Sequence, residues 1–177
     1  PTPNNHTCQL GVGSPGGLYR KTVTGAFHDL DPSVGNPDIN YSVLGSAPCR
    51  TFVVNFRNVS HFDCNNLRTT QQIVLYETTN VVEVYIQSKP SCGSWNGGRA
   101  TIGIQNGAGT QGIAPPGRNT GAWTASNEGW RFTPNGAPNY TINWFDEGGN
   151  NIGSGAGVNF CLSDAQVAEK VFVEIDY

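Results

Sequence analysis

Four side chains that could perform acid–base or metal chemistry lie within one short segment: His28, Asp29, Asp31 and Asp38. They stand out because only 13% of the 177 residues are charged, about half the usual fraction. Two neighbouring carboxylates can act as acid and nucleophile in glycoside hydrolysis. Carboxylates together with loop carbonyls can instead surround a calcium ion. The segment therefore poses a choice between catalysis, calcium binding and a purely structural loop.

Catalysis is the least favoured of these interpretations. A hydrolase needs a second group within reach of the reacting atoms, and Glu77, Glu83 and Glu128 are scattered along the chain. Neither a GxSxG nor an HExxH motif occurs, so neither a serine-hydrolase turn nor a zinc protease helix is indicated. We predict no catalytic residue and no enzymatic activity.

Calcium is the single candidate cofactor, with Asp29, Asp31 and Asp38 as its ligands. The spacing only partly matches an EF-hand loop, because a proline follows Asp31 and the late glutamate of such a loop is missing. The alternative is that these aspartates cap turns by accepting hydrogen bonds from nearby backbone N–H groups. We favour the capping interpretation.

The Gly-rich loops hold a second candidate site. Trp95 and Trp123 could stack on sugar rings while Asn119 fixes a hydroxyl group. The alternative is that each tryptophan pins its loop onto the fold, since a buried aromatic removes roughly 150–250 Å² from water. We favour the structural alternative here as well.

Charge and cysteine usage narrow the class of protein. A net charge of −3 argues against nucleic acid as a partner, because its binding needs concentrated Lys and Arg. No apolar run approaches the roughly 20 residues that span a bilayer. The five cysteines include no CxxC pair, which disfavours a zinc site. Their wide spacing favours an exported, oxidised protein over a cytosolic one with free thiols.

The apolar pattern predicts an all-β chain of short strands, typical of a sandwich. Alternating apolar residues within 71–89 flank a turn at 77–80, which predicts a hairpin. Gly103 marks a position where another backbone approaches closely. Only 163–170 has helical composition. The predicted strands lie in residues 50–59, 71–89, 99–106, 129–134, 140–155 and 169–177.

Pro and Gly concentrate in two further segments. Their density in residues 132–140 predicts a domain boundary, and the tail beyond it is too short to bury a sandwich core alone. The long segment 109–129 is expected to be a loop that is functional or held by local packing.

Six segments follow one another in an order that resembles a known family: FHDLDPS, APCRTFVVNFRNV, LRTTQQIVLYETTNVVEVYIQSKPSC, ATIGIQN, PPGRNT and SNEGWRFTPNG. Together they resemble the nidogen-like β-sandwich module of large surface proteins in Bacteroidetes-type bacteria. Many such proteins are exported by the type IX secretion system and associated with gliding motility. The segment NYTINWFDEGGNNIGSGAGVNFCLS is similar to the opening of an immunoglobulin-like or PKD-like repeat.

The resemblance implies an antiparallel β-sandwich with a small C-terminal immunoglobulin-like β unit. We assign residues 1–133 to the nidogen-like sandwich and residues 134–177 to a partial immunoglobulin-like or PKD-like unit. Compared with the family, the sandwich is expected to lack N-terminal strands and the protein to continue beyond this chain.

Within this framework we predict two disulfides. Cys64–Cys92 would join the ends of the hairpin region, and Cys8–Cys49 would be the second bridge. Cys161 would then be unpaired in this chain.

We expect a non-enzymatic extracellular module on the outer surface of a bacterial cell, acting in adhesion, in surface assembly or as a spacer. Its expected partners are other cell-surface proteins or glycans, including strand exchange with a neighbouring chain or with a missing N-terminal segment. The alternative is a carbohydrate-binding module that uses the loop tryptophans, and a hydrolase is the third choice. Neither nucleic acid nor a membrane span is expected.

Overall fold

The computed structural model describes residues 9–11, 21–136, 140–157 and 170–176. Within this part the secondary structure is β, apart from a 3-10 turn at Asn96–Gly98, so the predicted all-β class is confirmed. The strands are β1 (Thr22–Phe27), β2 (Leu30–Asp31), β3 (Asp38–Leu44), β4 (Thr51–His61), β5 (Arg68–Tyr76), β6 (Val82–Lys89), β7 (Thr101–Gln105), β8 (Gly112–Ile113), β9 (Ala125–Phe132), β10 (Thr141–Phe145), β11 (Asn151–Ser154) and β12 (Phe172–Asp176). The chain divides into two compact units, Pro1–Pro134 and Asn135–Tyr177.

The first unit is built on a six-stranded antiparallel sheet. Its order is β2-β4-β5-β6-β9, and β3 pairs with β4 as well. The predicted hairpin is the β5–β6 pair, in which Leu75 lies opposite Val82. Thr78 and Asn80 take positive φ values of 66° and 52° in the turn between them. The Thr- and Asn-rich turn therefore reverses the chain where the sequence predicts.

A three-stranded sheet, β1-β7-β8, packs on the first sheet through contacts of β1 with β5 and β6. Alternation along β6 explains the layer, because Val84 and Ile86 point into the core while Tyr85 and Gln87 are exposed. The buried core cluster consists of Ala26, Val84, Ile86, Ala100, Ile102 and Trp123. The result is the expected antiparallel sandwich.

One side-chain amide ties the two sheets together. The β1–β7 register shifts between Thr24 and Phe27, and the backbone of Ala26 finds its partner elsewhere. Gln71 of β5 accepts a hydrogen bond from the Ala26 N–H at 2.5 Å and donates to the Ala26 carbonyl at 3.3 Å. Gly25 makes room, because a Cβ there would collide with the Gln71 amide. Gln71 thus satisfies backbone groups that the bulge leaves without a ladder partner.

Gly103 lies where β7 meets two other segments. Its φ is 153°, and a Cβ at this position would collide with the carbonyl oxygen of Ile113 and with the Leu10 side chain. The close backbone approach that the sequence predicts at this glycine is present.

The segment 109–129 is more ordered than a loop. It contains β8 and the first residues of β9, so the expectation of one long loop is wrong. The sequence does not predict these strands, because Gly and Pro residues surround them.

The second unit carries a small antiparallel sheet in the order β11-β10-β12. Asp146 closes the turn between β10 and β11 by accepting a hydrogen bond from the Asn150 N–H at 2.8 Å. Gly149 supplies a positive φ of 80° in that turn, as a tight reversal requires. The predicted helical turn, apart from Lys170, lies outside the described residues.

Candidate functional site

Two histidines share one hydroxyl group at the end of the sandwich. The Nε2 atoms of His28 and His61 lie 3.1 and 2.8 Å from Thr69 Oγ1, and the ring centroids are 4.4 Å apart. A hydroxyl group has a single proton to donate. At most one imidazole can therefore accept the Thr69 proton, and the other must donate to its oxygen.

Both histidines are neutral at neutral pH. Burial, followed by the charges of His61 and Lys89, lowers the pKa of His28 from 6.5 to about 3. Burial, followed by Lys89 and Arg68, lowers the pKa of His61 to about 4. A base of such low pKa takes up a proton poorly near neutrality. The pair therefore suits a structural role better than proton transfer.

Lys89 and Trp123 form a second buried pair. Lys89 is 2% exposed, and its Nζ donates to the Trp123 carbonyl at 2.8 Å and lies 4.5 Å from the centroid of the Trp123 ring. The Trp123 indole donates to the Ala100 carbonyl at 2.9 Å. Because Trp123 is only 8% exposed, no sugar ring can stack on it. The prediction of a ligand-binding Trp123 is wrong, and this residue pins its loop to the core.

Trp95 is held at both its polar and its apolar surface. Its indole donates to Asp29 Oδ2 at 2.7 Å, and its ring lies 4.6 Å from that of Phe62. Trp95 is half-buried. The contacts anchor the segment after β6 and leave a reduced surface for a ligand.

Asn119, the third residue predicted to bind a ligand, is engaged by the protein itself. Its Oδ1 accepts hydrogen bonds from the Leu10 N–H at 2.8 Å and from the Thr101 hydroxyl at 3.4 Å. The side chain therefore fixes neighbouring segments, and the geometry does not favour a loop-tryptophan sugar site.

The three predicted calcium ligands have separate partners. Asp29 accepts from Trp95, Asp31 accepts from the backbone N–H of Ser33 at 3.0 Å, and Asp38 accepts from Asn40 Nδ2 at 2.8 Å. Among the described residues, no three His, Cys, Asp or Glu side chains form a group that could hold a metal ion. Asp29, Asp31 and Asp38 are thus not assembled as a calcium site. Asp31 caps its own turn.

The cysteines give a mixed result. The predicted disulfide Cys64–Cys92 is present, with a Cα–Cα distance of 5.9 Å. Cys49 is exposed and free, whereas Cys8 and Cys161 lie outside the described residues. The predicted bridge Cys8–Cys49 therefore stays a prediction, because Cys8 is not among the described residues.

Arg118 and Glu128 form an ion pair that the sequence did not predict. The guanidinium Nε and one terminal nitrogen donate to the two carboxylate oxygens at 2.8 and 2.7 Å. The Trp130 indole donates to the same carboxylate, and Arg118 Cζ lies 4.7 Å from the centroid of the Trp123 ring. The hydrogen bonds from Arg118 lower the pKa of Glu128. This fork fastens the segment before β9 to the sheet.

The most exposed apolar surface of the sheet is on β3. Ile39, Tyr41 and Val43 are 46%, 72% and 55% exposed, and the Tyr41 ring lies 5.7 Å from that of Phe52 on β4. We call these four residues the apolar flank. Cross-strand register places Tyr41 on the same sheet face as the buried Val84. The core face of the large sheet thus continues past the strands that cover it.

The sequence of the chain matches a known protein family. Residues 3–144 match the family described as NIDO related. The chain belongs to the NIDO-related family. The comparison with curated proteins and the comparison with solved structures gave no match. The nidogen-like part of the resemblance is confirmed, and the matched region runs through the first unit into β10.

The NIDO-related family and the disulfide together indicate an extracellular domain, because disulfides persist in oxidising compartments. In the part of the chain that the structure describes, no helix has the length and apolar character that a membrane crossing requires.

The sequence of this NIDO-related module contains a pattern that indicates the strand of the apolar flank, although this strand is not among those predicted from the sequence. Ile39, Tyr41 and Val43 alternate with polar residues, as in a strand with one apolar face. Asp, Asn and Pro on its N-terminal side suggest a turn instead. No local pattern in the sequence indicates the Arg118–Glu128 pair, because ten positions separate the partners and Glu128 lies within β9.

Proposed function

We propose that this NIDO-related module is a non-enzymatic assembly domain on the outer surface of a bacterial cell, joined to a second copy through β3. The exposure of Ile39, Tyr41 and Val43 carries the proposal. These side chains form one exposed apolar patch. Contiguous exposed apolar patches commonly mark interaction sites. Among the described elements β3 contacts β4 alone, so none of these elements covers its other edge.

Apart from the charge of its first residue, Asp38, the edge of β3 lacks the features that normally prevent pairing. Its sequence, DINYSVL, contains neither lysine nor proline, and its pairing with β4 shows no bulge. Natural edge strands commonly carry at least one of these features. An unprotected strand of this kind can accept another strand through its backbone groups.

A second copy is the partner that fits this strand. If two β3 strands pair antiparallel about a two-fold axis at Tyr41, Ile39 of each copy lies opposite Val43 of the other. Asp38 then lies opposite Leu44, and no like charges meet. Such an isologous contact aligns the apolar flanks on one face. Surface assembly is thereby favoured over a role as an inert spacer.

Light scattering at increasing protein concentration tests this assembly. We expect a monomer–dimer equilibrium in the native chain and a monomer in Tyr41→Lys, which places two lysines at the symmetry axis. Ile113→Lys is the matched control, because Ile113 is 68% exposed on the other sheet. A native chain that stays monomeric, or equal effects of both substitutions, would refute the proposal.

The absence of enzymatic activity is part of the proposal, and the state of the acidic residues supports it. Glu77 is bound by Arg50, Glu83 accepts from two tyrosines, and Glu128 is held by Arg118. Carboxylates engaged in this way are poorly placed to attack or protonate a substrate. Incubation with chromogenic glycosides and peptides should give no turnover; turnover that disappears in Asp29→Asn would establish a hydrolase instead.

We also propose that the module is exported by the type IX secretion system, is associated with gliding motility and contributes to adhesion. They rest on the ordered motifs shared with surface proteins of Bacteroidetes-type bacteria. Antibody labelling of intact cells should detect the module when the secretion system is functional and should fail when it is inactivated. Equal labelling in both strains would contradict export by the type IX secretion system.

A further inference from the structure

The outward face of the large sheet carries a connected row of side-chain amides. Gln72 donates to Asn55 Oδ1 at 2.7 Å, Asn55 donates to Asn40 Oδ1 at 2.9 Å, and Asn40 donates to Asp38 Oδ1 at 2.8 Å. The row crosses β5, β4 and β3. Because every donor points toward Asp38, the orientation of each amide is set by its neighbour, and such chains strengthen their own hydrogen bonds.

An open groove of about 390 Å³ runs along this row. That volume falls within the roughly 300–1,000 Å³ typical of ligand sites. The groove is on the opposite face of the sheet from the core and the apolar flank. Among its lining residues are Asp38, Asn40, Asn55, Gln72, Tyr85 and Gln87, and we call these the polar groove.

Tyr85 forms a fixed aromatic wall at one side of the polar groove. It is 45% exposed, and its hydroxyl donates to Glu83 at 2.8 Å. The Tyr76 hydroxyl donates to the same carboxylate oxygen at 2.7 Å. Gly129 lies beside the Tyr85 ring, and a Cβ placed on Gly129 would be 3.4 Å from the ring. The ring is thus held in place while half of its surface remains open.

The chemistry of the polar groove favours an uncharged ligand rich in hydroxyl groups. A side-chain amide both donates and accepts hydrogen bonds, as a hydroxyl does. Gln72 donates to Asn55 through its side-chain Nε2, and among the described residues no hydrogen bond is formed to its side-chain Oε1. An anionic ligand would need several Arg or Lys side chains, and Arg57 is the single one among the groove residues. A polypeptide would use an open strand edge or apolar pockets, and those features belong to the apolar flank and the β3 edge.

We infer that the polar groove binds a neutral polysaccharide chain. The amide row would contact successive hydroxyl groups, and the Tyr85 ring would pack against the C–H face of a sugar. Preformed hydrogen bonds between the amides reduce the ordering that binding requires. The inference does not depend on the self-association proposed above, because it concerns the other face of the sheet.

Affinity gel electrophoresis of the whole chain tests the inference, with mannan, xylan, mixed-linkage β-glucan and hydroxyethyl cellulose as neutral probes and alginate as the anionic probe. We expect retardation by at least one neutral polysaccharide and none by alginate. The double variant Asn55→Ala/Gln72→Ala should bind about tenfold more weakly, since two ligand hydrogen bonds are lost. Tyr85→Ala should weaken binding to a similar degree.

Asn66→Ala is the matched control, because Asn66 is an exposed asparagine between β4 and β5, outside the polar groove. It should bind like the native chain. Thermal melting of each variant separates loss of binding from loss of fold, and Tyr85→Ala decides the case if the double amide variant unfolds. Failure to bind any neutral probe, a preference for alginate, or binding that survives in folded groove variants would overturn the inference.

Discussion

Asp29 and Trp95 are 66 positions apart in the chain and are joined by a hydrogen bond of 2.7 Å from the indole N–H to the carboxylate. The acid that stands beside a histidine in the sequence is thus an anchor for a distant aromatic residue. Phe62 packs against the same indole at 4.6 Å. The arrangement closes one end of the sandwich and gives Asp29 a structural role.

A double-mutant cycle on this pair should reveal coupling. Asp29→Ala and Trp95→Phe each remove the hydrogen bond, and we expect each to lower the free energy of unfolding by about 1–3 kcal/mol, because the acceptor is charged. The double variant should cost clearly less than the sum. Urea denaturation measures all four proteins. Strict additivity would show that the two residues stabilise the fold independently.

The two low histidine pKa values predict acid sensitivity. The unfolded chain binds protons near pH 6.5, whereas folded His28 and His61 bind them only near pH 3 and 4. Stability should therefore be constant above pH 6.5 and fall as the pH decreases toward 4. By pH 5 the loss should reach about 1–2 kcal/mol per histidine. Urea titrations between pH 7.5 and pH 5 measure it.

His28→Gln separates this effect from other acid transitions. It should flatten the slope of stability against pH by about half in that window, since His28 no longer contributes. The pair Arg50–Glu77 cannot mimic the effect, because its hydrogen bonds lower the pKa of Glu77 from 4.5 to about 2. The stability that the Arg50–Glu77 pair contributes is lost only as the pH falls below 4.5. An unchanged slope in His28→Gln would contradict the assignment.

Removal of the disulfide should destabilise the first unit. The bridge Cys64–Cys92 spans a sequence separation of 28, and the chain-entropy relation gives about 3–4 kcal/mol for a loop of that length. Cys64→Ser/Cys92→Ser tests this by urea denaturation, with Cys49→Ser as the control because Cys49 is exposed and free. Peptide mapping without reductant should recover the Cys64–Cys92 pair; a Cys49–Cys64 pair would contradict the structure.

The fork between Arg118 and Glu128 should hold the segment before β9 in place. The two side chains are 20% and 18% exposed, so solvent screens the pair incompletely. Glu128→Gln should lower stability by about 1–2 kcal/mol, since it weakens two charge-assisted hydrogen bonds. Hydrogen exchange should quicken in residues 114–122. Arg131→Ala is the control, because Arg131 is 65% exposed and lies 3.4 Å from Glu83. Equal protection in native and Glu128→Gln protein would refute the role.

Strong alternation made part of the fold predictable. Apolar residues recur at every second position in β6, at Val82, Val84 and Ile86, and β-branched residues mark β4 and β5; one turn between β5 and β6 fixes their register. Gly103 was predictable because an isolated glycine in a strand commonly marks close backbone approach. β3 was missed because Asp, Asn and Pro at its N-terminal side suggest a turn, and β1 because Gly25 interrupts it.

The convergence of distant residues was not predictable. Local spacing suggested one shared site for Asp29, Asp31 and Asp38, but each carboxylate accepts a hydrogen bond from a different partner. The polar groove draws its residues from separate strands, and their alignment depends on register. A sequence shows which side of a strand a residue occupies. It does not show which residue of the next strand lies beside it.

The disulfide has a mechanical consequence for a domain that is pulled from its ends. Both β5 and β6 lie between Cys64 and Cys92, so tension in the chain passes through the sulfur–sulfur bond and bypasses the hairpin. The enclosed 28-residue separation would otherwise release about 90–100 Å of extended chain. Under load, the hairpin at the centre of the large sheet would therefore carry no tension after the outer strands had peeled away.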